Sequence, residues 1–204
     1  MDQRFEDLLV SYSNIDNEHH HKMVENTLWT EFGVEKAIFV MDMSGFSRLT
    51  QKYGIVHYLS MVKRMQMTTK PLVEQHGGSV VKFEADNCFA MFDNVLSALD
   101  CAIGLNKTFD EMNELTEDAF DIRVSIGIDY GKVLLIGGPD YFGNTVNRAC
   151  KLGEDIAGPG EILITKTAYE RLTPSANLQV EHLQFTTSGI SLDAVKIKLP
   201  ASIR

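Results

Sequence analysis

Val80-Val81-Lys82-Phe83-Glu84-Ala85-Asp86-Asn87-Cys88-Phe89-Ala90-Met91-Phe92 is the stretch that decides the fold. Two apolar-rich runs flank Ala85-Asp86-Asn87, so the segment reads as a β-hairpin closed by a tight turn. The His76-Gly77-Gly78 turn leads into its first strand, Ser79–Phe83, and Cys88–Phe92 returns. Upstream, Ala37–Met41 is a nearly continuous apolar run, the pattern of a strand buried on both faces. Between them, Ser44 to Lys70 reads as a turn and one long helix, with Phe46, Leu49, Tyr53, Val56, Leu59, Val62 and Met65 on one side.

Downstream, Val95 to Glu114 reads as a second helix with Leu96, Leu99, Cys101, Ala102, Leu105 and Phe109 inward. Asp121–Ile128 alternates cleanly as a strand, and Lys132–Ile136 reads as another after Tyr130-Gly131. The order β-α-β-β-α-β predicts an α+β fold of the ferredoxin-like type, an antiparallel sheet with two helices on one face. Smaller elements follow. Asn144 to Leu152 reads as a helix start, Glu161–Thr165 as a strand, and Lys166–Leu172 as a short helix capped by Thr165. Val180–Thr187 and Leu192–Leu199 close the chain as strands. Residues 1–32 are polar, with apolar positions at Phe5, Leu8, Leu9, Met23, Val24, Leu28 and Trp29 that suit one or two amphipathic helices. They read as an N-terminal helical arm ending at a Gly33 cap, and residues 33–204 as the main domain.

Composition narrows the function. The 204 residues are 44% hydrophobic and 23% charged, as in ordinary globular domains. A net charge of −9 argues against nucleic acid or an acidic membrane as the partner. No apolar run approaches the roughly 20 residues of a membrane span. The Met-Asp-Gln-Arg start lacks a secretory core, so a cytoplasmic protein is expected. Cys88, Cys101 and Cys150 match no metal spacing and read as small buried hydrophobes. His19, His20 and His21 read as a solvated helix face.

Asp42, in Val40-Met41-Asp42-Met43-Ser44-Gly45, ends the apolar run, and Asp86 stands at the hairpin turn. Two carboxylates at strand ends suit Mg2+, which takes few protein ligands and draws other oxygens from phosphates and water. Singly, each candidate has a plain reading. Asp42 suits a helix N-cap, Lys82 and Glu84 a solvated strand face, Asp140 a turn after Gly-Gly-Pro, and Asn147 a helix cap. Glu84 also lies close enough in sequence to serve as a partner of Asp86.

Three segments together carry more. Phe39-Val40-Met41-Asp42-Met43-Ser44-Gly45-Phe46-Ser47, Gly77 through Asp86, and Asp140-Tyr141-Phe142-Gly143-Asn144-Thr145-Val146-Asn147-Arg148-Ala149-Cys150-Lys151-Leu152 occur in order, with Ser125-Ile126-Gly127-Ile128 and Gly131 between them. In these motifs the chain resembles the catalytic domain of class III nucleotidyl cyclases over about residues 35–172. The resemblance implies a homodimer with composite active sites and conversion of ATP or GTP to a 3′,5′-cyclic monophosphate. It implies that Asp42 and Asp86 hold two Mg2+ or Mn2+ ions per site. The backbone at Met43, Ser44, Gly45 and Phe46 would face the phosphates. Lys82 and Asp140 of the other chain would read the base, and this lysine–carboxylate pair suits adenine, so ATP is the expected substrate. Asn147 would orient the ribose.

Three positions depart from the family pattern. Lys151 stands where an arginine usually touches the transition-state phosphoryl group, and lysine lacks the planar two-pronged donor. Arg148 lies one turn back. The Phe185–Ile190 turn has no lysine for the triphosphate, and Ala85 replaces the usual glycine before Asp86. These departures leave open a cyclase-like nucleotide-binding or regulatory domain of weak or no activity, or a cyclase for GTP or a pyrimidine triphosphate. The Gly-Gly-Asp/Glu-Glu-Phe hairpin of diguanylate cyclases is absent.

Overall fold

The computed structural model describes residues 2–137, 140–172, 178–187 and 190–199. Two helices, α1 (Gln3–Asn14) and α2 (Glu18–Phe32), precede β1 (Gly33–Met43). Then come α3 (Phe46–Tyr53), α4 (Ile55–Gln75), the hairpin β2 (Ser79–Glu84) and β3 (Asn87–Phe92), α5 (Val95–Asn113) and β4 (Val124–Ile136). The chain continues through β5 (Asp140–Phe142), α6 (Asn144–Cys150), β6 (Ile162–Thr165), α7 (Lys166–Tyr169), β7 (Val180–Thr187) and β8 (Ile190–Ile197). Strand order is β2-β3-β1-β4-β6-β8-β7, with β5 added to β4. The first four strands and the two long helices form the expected α+β core.

Ala37 to Met41 are fully buried because β1 has a covered layer on each side. Phe39 and Met41 pack with Met61, Met65, Leu99 and Phe109 of α4 and α5 on one face. Ile38 and Val40 pack with Phe89, Val133, Tyr141 and Ala149 on the other. Such burial on both sides leaves no position for a polar residue, hence the unbroken apolar run.

Several details differ from the sequence expectation. The sheet is mixed, because β4 and β6 run parallel. The expected single helix is two, broken at Gly54, whose φ of 86° and ψ of 168° lie outside the helical region. The break resets the helical phase. Tyr53, Val56 and Leu59, assigned to the inner stripe, are exposed, and Tyr58 and Met61 take the buried positions. Leu96, also assigned inward, is exposed. Helix α4 runs through Pro71 to Gln75 rather than stopping at Lys70. The carbonyl that loses its partner belongs to Met67, an exposed residue, so water can satisfy it. Strand β4 passes straight through Tyr130-Gly131, where two strands were expected.

The arm folds as a helical hairpin. Phe5, Leu8, Val24 and Leu28 pack on Leu134 and Ile136 of β4. His20 Nε2 meets the Ser11 hydroxyl at 3.0 Å, and His21 Nε2 meets the Tyr12 carbonyl at 3.1 Å while its ring stacks on Tyr12. Two of the three histidines therefore stitch α1 to α2 instead of forming a solvated face. Among the described residues, no helix is long and apolar enough to cross a membrane.

Ala85, at the hairpin tip, is the only non-glycine residue with positive φ (51°) among those described. A Cβ in this region costs roughly 1–2 kcal/mol, which glycine avoids. Ala85→Gly is therefore expected to stabilise the protein by about 0.5–1 kcal/mol, even after glycine's larger unfolded-state entropy. Chemical denaturation checks this, and an unchanged or lower midpoint contradicts it.

Candidate functional site

Asp42 is the penultimate residue of β1 and pairs in register with Asn87, the first residue of β3. The Met43 N–H donates to the Asp86 carbonyl at 3.3 Å. The two acids expected to share cations therefore sit side by side at the same end of the sheet, both half-buried. Burial, and then the negative charges of Asp86 and Glu154, push the Asp42 carboxyl up from its ordinary 3.8 to about 7. Glu154, which the sequence reading did not single out, is thus a third acid within electrostatic reach of the pair.

A carboxyl raised by burial and by acidic neighbours, as Asp42 is, is one that a divalent cation would stabilise in its charged form. Among the described residues, no group of three or more His, Cys, Asp or Glu side chains converges as a metal site. Two aspartates with open coordination positions still fit Mg2+ or Mn2+ well, provided phosphate and water supply the remaining oxygens.

The raised carboxyl has a consequence for the metal-free protein. Below about pH 4 the Asp42 carboxyl is protonated in both the folded and unfolded states. As the pH rises from about 4 to 7, the unfolded chain ionises first. The stability this group contributes at acid pH is therefore lost as the pH passes through about 7. In chelator, Asp42→Asn is expected to melt above the unsubstituted protein at pH 8 and to show a flatter pH dependence. A lower melting temperature for the variant at pH 8 contradicts this.

The turn after β1 is more committed than expected. The Ser44 N–H donates to the Arg123 carbonyl at 2.8 Å, and the Met43 N–H is taken by Asp86. The free amides thus narrow to Gly45 and Phe46, at the start of α3, where Gly45 has a φ of 96° and no side-chain cap. The side chain of Phe46 lies outside the described residues. Beside this turn is a cavity of about 750 Å3 lined by Arg48, Lys52 and Arg123 and also by the acids Asp118 and Asp121, together with Ser44 and Gly45. The sequence reading missed these three cations, because tertiary structure alone brings Arg123 beside α3.

Lys82 and Asp140, far apart in sequence, meet at 3.1 Å across the hairpin and β5. Lys82 also reaches Glu84 at 3.2 Å, so Glu84 partners the lysine rather than Asp86. Its ammonium is raised above the ordinary value by hydrogen bonds to Asp140 and then Glu84. Asp140 is not merely a turn residue. It opens β5 and pairs with Ile136 in the ladder.

Asn147 and Lys151 belong to α6 and to the π-helical turn Lys151–Ile156 that continues it. Asn147 is exposed, and Lys151 pairs with Asp155 at 2.6 Å. Arg148 is spoken for: its Nε donates to the fully buried Asp129 at 2.7 Å. The helix lies directly on the sheet because Gly127 and Gly153 meet without side chains. A Cβ on Gly127 would stand 2.2 Å from the Ala149 carbonyl and 2.4 Å from the Gly153 nitrogen. Cys88 and Cys101 are free and buried, the latter's thiol pushed up by burial to about 12. Ser188 and Gly189, in the turn where a lysine was sought, lie outside the described residues.

This sheet, with acids at one strand end and a lysine–aspartate pair across the hairpin, is the architecture of nucleotide cyclase domains. The model of the adenylate and guanylate cyclase catalytic domain matches residues 34–193, and the chain belongs to that family. A protein of Streptomyces coelicolor named adenylate cyclase is 29% identical over 133 residues, covering 65% of this chain and 32% of its own length. A Rhizobium meliloti relative is 30% identical over 135 residues, 66% of this chain and 22% of its own length. The chain thus spans about a fifth to a third of these relatives. Among solved structures, an adenylate/guanylate cyclase/hydrolase from Silicibacter pomeroyi has 27% identity and a TM-score of 0.69, covering 83% of this chain and 98% of that one. The adenylyl cyclase CyaB of P. aeruginosa shares the fold, with a TM-score of 0.70 at 18% identity, covering 82% of this chain and 96% of that one.

Proposed function

We propose that the chain is an adenylate cyclase, a phosphorus–oxygen lyase that converts ATP to 3′,5′-cyclic AMP and pyrophosphate at composite sites in a homodimer. The observation that carries this reading is the neighbouring placement of Asp42 and Asp86 at one end of the sheet, together with the Lys82–Asp140 contact on the same chain. Asp42 and Asp86 of one protomer hold two Mg2+ or Mn2+ ions. Bound there, the ions supply charge neutralisation along the triphosphate and a lowered barrier to 3′-hydroxyl attack on the α-phosphorus. Lys82 and Asp140 of the other protomer read adenine, the ammonium donating to N1 and the carboxylate accepting from the N6 amine.

The amides of Gly45 and Phe46 face the phosphates. Arg48, Lys52 and Arg123 place three positive charges at the edge of that turn, against the two negative charges of Asp118 and Asp121. The net positive charge that remains is the substitute for the missing C-terminal lysine on this reading. Asn147 orients the ribose. Lys151 meets the transition-state phosphoryl group after exchanging Asp155 for it, since Arg148 is committed to Asp129.

A second reading rests on that same Lys151–Asp155 pair. A lysine held by its own neighbour offers less to the transition state than a free arginine, and the domain would then bind nucleotide without turning it over. Incubating the purified protein with Mn2+ and each of ATP, GTP, CTP and UTP separates the readings. Cyclic AMP formed predominantly from ATP is expected. Binding of ATP with no cyclic product favours the second reading, and cyclic product chiefly from another triphosphate overturns the base assignment.

A further inference from the structure

Helix α4 carries a stripe of side chains that the core does not cover. Met61, Met65 and Val73 mark its buried side. Val56, Leu59, Lys63, Met67 and Lys70 recur every three or four residues on the opposite side, so they form one line along the helix. Val56 is 78% exposed, Met67 66% and Leu59 55%, and both lysines are exposed. The break at Gly54 extends the line at its start, where Tyr53 and Ile55 are exposed as well. One exposed apolar side chain is ordinary, but several in a row on one helix mark a contact surface.

The charge here runs against the rest of the chain. Residues 46–75 carry five cations, Arg48, Lys52, Lys63, Arg64 and Lys70, and one acid, Glu74, within a chain of net −9. Arg64 turns to the Phe120 carbonyl, whereas Lys52, Lys63 and Lys70 are exposed. Lys63 pairs with no acid among the described residues, and Lys70 reaches Glu74 only at 3.9 Å, with both side chains exposed. The stripe is therefore apolar and cationic at once, and its one acid stands in the last turn of the helix.

We propose that this stripe is a docking surface for an anionic lipid membrane, on which α4 lies flat. Val56, Leu59 and Met67 enter the boundary between headgroups and acyl chains, and Lys52, Lys63 and Lys70 meet the lipid phosphates. Lysine stems can follow the apolar line while their ammonium groups stay at headgroup level. The alternation of apolar and cationic residues within one line favours lipid over protein. A protein partner needs an acid and an apolar pocket in matching register, whereas a headgroup layer offers both at every point. The overall negative charge does not oppose this contact. Attraction to an anionic surface falls off within about 8 Å at physiological salt, so the near face decides.

The test is co-sedimentation of the full chain with vesicles, without nucleotide or metal, so its outcome is independent of the cyclase reading. Binding is expected to vesicles of mixed phosphatidylcholine and phosphatidylglycerol, to weaken with added salt, and to be nearly absent on phosphatidylcholine alone. Lys63→Gln with Lys70→Gln should weaken it about 25-fold, near 5-fold per lysine. Val56→Ser with Leu59→Ser should weaken it about 10-fold or more. Both double variants change exposed side chains only, so their melting temperatures and their cyclase rates in vesicle-free buffer should match the unsubstituted chain. No binding to the mixed vesicles, equal binding to phosphatidylcholine alone, or binding that neither double variant weakens each overturns the proposal. Oligomers in vesicle-free buffer that Val56→Ser with Leu59→Ser dissolves assign the stripe to a second copy of the chain and overturn it as well.

Discussion

Asp42→Ala is expected to reduce cyclic AMP formation by at least on the order of 10³-fold, about 4 kcal/mol in the barrier, while leaving a folded protein. Asp42 lies one residue before the end of β1, near Asp86, and its carboxyl is pushed up to about 7 by burial and by its acidic neighbours. A group in that state stores repulsion that a bound cation discharges, so removing it takes away a ligand and part of the reason for the ion to bind. The fold loses little, because the side chain is only half-buried and none of the described side-chain hydrogen bonds runs from it. Chelated Asp42→Ala should melt at or above the unsubstituted protein at pH 8. Undiminished turnover with Mn2+ and ATP refutes the metal assignment.

Arg148→Met is expected to cost about 2 kcal/mol of stability at pH 8, below the roughly 3–5 kcal/mol of a fully buried pair because the Arg148 side chain is 39% exposed. Asp129 is fully buried in the middle of β4 and receives the Arg148 guanidinium at 2.7 Å, the Tyr130 N–H at 2.8 Å and the Thr165 hydroxyl. Burial pushes its carboxyl up, opposed by Thr165, Arg148 and Tyr130. Without the guanidinium the carboxylate is left with neutral donors only. Its folded-state proton affinity then rises further, so the penalty should shrink as the pH falls toward 5 and the acid takes up a proton. Denaturation of both proteins at the two pH values checks the sign. A penalty that is the same at pH 5 and pH 8 points to lost packing rather than to the ion pair. The change also loosens α6, which carries Asn147 and leads into Lys151.

What the sequence made legible followed from period and burial. Ala37–Met41 announced a strand covered on both sides, and Ala85-Asp86-Asn87 announced the hairpin, because apolar runs and turn residues act locally. The Lys82–Asp140 contact was reachable only through family resemblance, since nothing local joins a β2 residue to one in β5. Strand β5 is three residues long, too short to show alternation. The π-helical turn has no sequence period of its own. Gly54 hid inside an apolar pattern that ran on past it, so the inner face of α4 was assigned one phase too early. Arg48, Lys52 and Arg123 were missed because their proximity is a product of the finished fold. Arg148 was weighed as a rival to Lys151 because its true partner, Asp129, lies on a different element.

Lys82 enters any encounter already shared between Glu84 and Asp140. On the proposed reading, an incoming purine therefore trades for contacts instead of filling a vacancy. A base that replaces both acids on the ammonium and satisfies the freed carboxylate roughly breaks even. One that mismatches leaves a charge stranded. Under that proposal the triad acts as a filter more than an anchor, and most of the grip on a nucleotide comes from its phosphate end.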